Sequence, residues 1–79
     1  MERYRVSEYD ISQMAGFEHK PIGTYARLED AESRATTFSR HWHCTVVIDD
    51  TDPAVVSEHL GNKLVAQYRN GTRIPLPDE

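Results

Sequence analysis

The stretch from Leu28 to Asp50, LEDAESRATTFSRHWHCTVVIDD, changes its hydrophobic period once and without a linker, and that change sets the architecture. Leu28, Ala31, Ala35, Phe38 and Trp42 recur at steps of three and four, the spacing that lines one face of an α-helix. From Thr45 the helical period stops. Thr45-Val46-Val47-Ile48 is a β-branched run suited to a buried strand, with Val46 and Ile48 on one face and Val47 on the other. An amphipathic helix therefore leads into a core strand over Thr45 to Asp49.

Upstream, Tyr4 to Tyr9 alternates well enough for a strand with Tyr4 and Val6 facing the core, and Asp10 to Lys20, with Gly16 inside it, reads as a loop. Pro21 to Ala26 returns as a second strand whose proline belongs at an edge or at the strand start. Downstream, Asp52-Pro53 followed by Gly61 has the acid, first-position proline and terminal glycine of a short helix, with Val56 and Leu60 one turn apart. The same residues can be read as a strand, Val55 to Leu60, turning through Gly61-Asn62. Lys63 to Tyr68 is a strand in either case, and Asn70-Gly71 turns it into Thr72-Arg73-Ile74. The whole chain reads as a single α+β domain over residues 1–79, with 75–79 a loose tail. Its mainly antiparallel sheet carries one long amphipathic helix on one face, and a short second helix is the favoured reading of 53–60.

At 79 residues the chain supports one modest core. Its hydrophobic share of 38% and charged share of 28% belong to a folding domain and not to a disordered one. No apolar run approaches the ~20 residues of a membrane span, and the polar start Met1-Glu2-Arg3-Tyr4 lacks a secretory h-region, so a cytoplasmic location is expected. A single cysteine, Cys44, excludes an internal disulfide.

Candidate chemistry is sparse. His41, His43 and Cys44 are the densest metal-capable group, with His19 or His59 needed to complete a ligand set. Histidines two residues apart on a helix point about 200° away from each other, which opposes convergence. Cys44 lacks an activating context for a thiol nucleophile. Asp50-Thr51-Asp52 begins like a calcium loop but has Val55 where the glycine belongs and Gly61 where the glutamate belongs. Asn70-Gly71-Thr72 matches a glycosylation acceptor and is explained as a hairpin turn. No phosphate loop, nucleophile elbow or paired-carboxylate motif is present, so neither enzyme activity, nor a cofactor, nor a metal is expected.

Charge is the remaining signal. Thirteen acids against nine bases give a net charge of −4, which opposes direct nucleic-acid binding. Glu29, Asp30 and Glu32 start the helix and complement its dipole, as Arg40, His41 and His43 do at its end. Asp49, Asp50, Asp52 and Glu58 follow a strand and are the candidate contact for a basic protein surface. In size, charge and architecture the chain resembles the small acidic inhibitors of phages and mobile elements, including anti-CRISPR proteins. That resemblance implies a non-enzymatic protein that occupies a nucleic-acid-binding surface of a CRISPR interference complex in the host cytoplasm. It carries no motif, so it assigns no residue. The alternatives are a small accessory domain without catalytic activity and, further off, a small enzyme or metal sensor using His41, His43 and Cys44. A homodimer is expected in the first two cases, because so short a chain leaves a sheet face or edge uncovered.

Overall fold

The computed structural model describes residues 2–10, 18–59 and 63–76. Its elements are β1 (Tyr4–Asp10), β2 (Glu18–Tyr25), α1 (Leu28–Trp42), β3 (Thr45–Asp50), α2 (Pro53–His59), β4 (Lys63–Arg69) and β5 (Thr72–Ile74). The strands form one sheet in the order β2-β1-β3-β4-β5, antiparallel at every step. This is the α+β arrangement anticipated from the sequence, with the region after Pro53 helical. The Asp52 carboxylate accepts the Ala54 N–H at 2.9 Å, and Pro53 fills a position where no N–H is needed. No helix among the described residues is long and apolar enough to cross a membrane.

The first hairpin is longer than the alternation of its side chains suggests. Asp10 pairs with Glu18, Tyr9 with His19 and Glu8 with Lys20, so both ends of the expected loop are strand. Backbone pairing needs no apolar period, and polar residues at the strand ends hide it. The rest of that loop, including Gly16, lies outside the described residues, as do Leu60, Gly61 and Asn62 and the last residues of the tail.

The core forms between α1 and one sheet face. Val6, Val46 and Ile48 are fully buried, with Ala66 and Tyr68 beside them, and Ala31 and Ala35 meet them from the helix. The helix contributes small side chains and the sheet large ones, which lets α1 lie close to the strands. Its buried stripe steps by four through Ala31, Ala35 and Ser39. Leu28 and Phe38 pack at the margin of the core, and Trp42, expected inside, is 62% exposed. Phase accounts for Phe38, which a stripe centred on positions 31, 35 and 39 leaves at its flank; Trp42 falls between 31 and 35 in angle, and its exposure goes with its place as the last residue of α1.

Ser39 tolerates complete burial because its hydroxyl is used twice. Its Oγ donates to the Thr36 carbonyl at 3.2 Å and accepts the Gly71 N–H at 2.9 Å, tying α1 to the β4–β5 turn. That turn has positive φ at both central residues, 51° at Asn70 and 82° at Gly71, as a two-residue hairpin requires. Tyr68 makes a second tie, its phenol donating to Glu32 Oε2 at 3.1 Å.

Two register shifts shape the sheet. Between β3 and β4 the partner of Ile48 is Ala66 and that of Asp49 is Leu64, so Val65 is the extra residue of a bulge. Val65 packs, partly buried, against the core, and Leu64 is carried opposite Asp49. Between β1 and β2, Val6 faces Gly23 and Ser7 faces Pro21, making Ile22 the extra residue. The edge strand β2 thus carries a bulge and a proline, and the other edge, β5, spans three residues before Pro75. Both devices discourage pairing with another sheet.

Candidate functional site

The four acids singled out in the sequence separate into two kinds. Asp49 and Asp50 end β3 and are 4% and 5% exposed, too buried to present charge to a partner. Each is met by an arginine from the neighbouring strand region. Arg5, directly across from Asp49 in the register, donates from Nη2 to its Oδ2. Arg3 donates from Nε to Asp50 Oδ1 at 2.8 Å and from Nη2 to Oδ2 at 2.7 Å, a bidentate fork. The Arg3 bonds hold the Asp50 carboxyl below the usual carboxylate range against the opposing effect of burial, and the same bonds raise the guanidinium of Arg3.

The backbone reinforces this junction. The Arg3 carbonyl accepts both the N–H and the hydroxyl of Thr51, at 2.8 and 2.7 Å, and Asp50 Oδ1 also accepts the Asp52 N–H at 3.0 Å. Asp49 and Asp50 are structural counter-charges, and Asp52 serves the start of α2, the place its sequence with Pro53 and Gly61 indicated. Asp52 keeps 36% of its side chain exposed, 3.8 Å from Arg3 Nη1. Glu58 is exposed on α2, beside exposed Ser57 and with Pro53 and Ala54 exposed at the start of the helix.

Arg3 and Arg5 were missed as partners of these acids. Their signal is positional: basic residues just before and early in β1 face acids late in β3 once those strands are taken as antiparallel neighbours. The sequence gives no direct indication of that adjacency, because the strands are separated by a hairpin and a helix.

The histidine and cysteine group does not assemble. His41 is exposed and sets its ring edgewise on Trp42, centroids 5.0 Å apart at 83°. His43 caps the helix in the left-handed region at φ 52°. Cys44 is half-buried, and burial, helped by the charge of Glu8, pushes its thiol up, away from a reactive thiolate. Among the described residues no three metal-capable side chains converge. The side chains of His19 and His59 are outside the described set.

A second surface feature was not anticipated. Along one flank of α1, the Arg34 guanidinium lies 5.6 Å from the Phe38 ring centroid, and Phe38 meets Trp42 at 6.1 Å. Beside this strip is an open hollow of about 430 Å³ lined by Tyr25, Asp30, Ser33, Arg34 and Thr37. Searches against protein-family models, curated proteins and solved structures return no match for the chain.

Proposed function

We propose that the chain is a non-enzymatic protein-binding domain that acts by occupying a basic surface on a larger partner. In this reading it works as small anti-CRISPR inhibitors do, against a nucleic-acid-binding surface of an interference complex and without binding nucleic acid itself. The observation that carries the reading is the division of the carboxylates. Arg3 and Arg5 absorb Asp50 and Asp49, whereas Asp52 is part-exposed beside Arg3 at the start of α2 and Glu58 is exposed on the helix. A net charge of −4 favours a basic partner over a polyanion.

The test uses immobilised full-length chain as bait, followed by kinetics with any captured partner. Asp52→Ser retains an N-cap side chain while removing its charge, so it can be combined with Glu58→Lys without unpinning α2. The expected result is slower association and weaker salt dependence, with dissociation little changed. A partner whose association rate ignores both substitutions removes the acids from the interface. Retention of DNA in a mobility-shift assay at physiological salt contradicts the electrostatic basis of the proposal.

A further inference from the structure

We infer that Arg3 is the positioning residue of the acidic surface: acting through Asp50 and Asp52, it fixes how α2 stands against the sheet and so where Asp52 and Glu58 are presented. The inference rests on the basic-partner reading for its use, while the contacts that carry it belong to the chain alone.

α2 has little of its own to hold it in place. At seven residues it makes about two turns, too few for a helix to persist by itself. It packs on β4, and none of its described residues belongs to the core beneath α1. Pro53, Ala54, Ser57 and Glu58 are exposed, which leaves Val55 and Val56, both half-buried, as its apolar contact. Apolar burial is non-directional, so two valines hold the helix down without setting its angle. Direction comes from the hydrogen bonds of the segment that enters the helix, and these lead back to one residue.

Arg3 meets that segment at three successive positions. Its guanidinium forks onto Asp50 at 2.8 and 2.7 Å, and its carbonyl accepts the N–H and the hydroxyl of Thr51 at 2.8 and 2.7 Å. Its Nη1 lies 3.8 Å from Asp52 Oδ2. Asp50 Oδ1, the oxygen that receives Arg3 Nε, also accepts the Asp52 N–H at 3.0 Å, so the fork and the helix entry share an atom. Asp52 in turn accepts the Ala54 N–H on its carboxylate and the Val56 N–H on its carbonyl, each at 2.9 Å. The path from Arg3 through Asp50 and Asp52 to the first turn of α2 is therefore unbroken.

Arg3 is itself held. Its guanidinium lies 5.4 Å from the Tyr4 ring centroid, and the Asp50 that receives its fork is buried. A planar fork with one face on a ring is a role that lysine, a point charge on a flexible stem, does not reproduce.

Residual dipolar couplings of the full chain test this without a partner. In the wild type the N–H couplings of Ala54 to Glu58 should fit the same alignment tensor as those of α1 and the sheet. Arg3→Lys keeps the charge and loses the fork. It should shrink the α2 couplings to less than half while those of α1, β3 and β4 still fit. Thr51→Val, which removes one bond to the Arg3 carbonyl and no charge, should shrink them in the same direction by less. Asp52→Asn, which keeps both a capping side chain and the Arg3 fork, should leave them at wild-type values.

An arginine that merely stabilised the fold would lower the melting temperature and leave the couplings of the folded chain unchanged. That result in Arg3→Lys overturns the inference, and if Arg3→Lys does not fold, unchanged couplings in Thr51→Val overturn it. A captured partner indifferent to Asp52 and Glu58 removes the basic-partner reading and leaves these couplings as they are, so the two failures are told apart.

Discussion

Arg3 and Asp50, 47 residues apart in sequence, are joined by two parallel hydrogen bonds at 2.8 and 2.7 Å, which fasten the start of β1 to the end of β3. The bond is charge-assisted at both ends and survives the burial of Asp50 because the fork satisfies both carboxylate oxygens.

This junction makes stability sensitive to acid. The folded Asp50 carboxyl titrates below its unfolded value, chiefly through its bonds to Arg3. Its contribution is therefore complete above the unfolded pKa and disappears as pH falls through the folded one, a window expected below about pH 4. Urea midpoints measured from neutral pH downward should decline through that window. Asp50→Asn should be less stable at neutral pH and lose less on acidification.

Two buried serines should respond oppositely to the same substitution. Ser7 is 1% exposed and its Oγ has no hydrogen-bond partner, so Ser7→Ala removes a buried, unsatisfied hydroxyl and should be neutral or stabilising. Ser39 is fully buried with both bonds made, and Ser39→Ala strands the Gly71 N–H at a cost of about 1–3 kcal/mol. Equilibrium denaturation of the pair tests the contrast, and equal effects would contradict it.

Large apolar side chains should rank by burial and not by size. Ile48→Ala, at a fully buried site, should cost about 2–5 kcal/mol. Phe38→Ala, at the core margin, should cost less than Ile48→Ala, and Trp42→Ala less than either. Thermal denaturation at a concentration where all three are monomeric checks the order.

Gly71→Ala should destabilise by about 1 kcal/mol or more, because the residue holds a positive φ that an added side chain resists. The new methyl would also meet the Arg40 side chain, whose Cβ lies 3.0 Å away. Gly71→Asn, which tolerates the left-handed region better, should recover part of the conformational loss. Identical melting of the glycine and alanine forms would show that the turn relaxes freely.

Much of the fold was legible because its central elements obey one period each. Ala31, Ala35, Val46 and Ile48 were recoverable from spacing, and the Asp52-Pro53 start and the Asn70-Gly71 turn from local backbone chemistry. The misreadings arose where tertiary placement outweighs pattern. Trp42 fits the apolar helical series, yet it is the last residue of α1 and stays 62% exposed. Leu64 fits the strand alternation, yet a bulge at Val65 reverses it. The candidate site was less legible for a related reason. Adjacent acids in a sequence look like a shared surface, whereas Asp49 and Asp50 are buried against arginines of another strand, a relation visible only once strand order is known.

That strand order has a consequence for synthesis. β1 is made first but sits inside the sheet, and its register with β3 places Tyr4 opposite Asp50. A chain emerging from a ribosome can form the β1–β2 hairpin early, but a lone hairpin is marginal in water. The inner edge of β1 stays bare until the helix and β3 have left the exit tunnel, so folding is deferred and then gained over a short length of chain. Products terminated before Thr45 would expose that edge with nothing to pair it, making them substrates for aggregation or proteolysis.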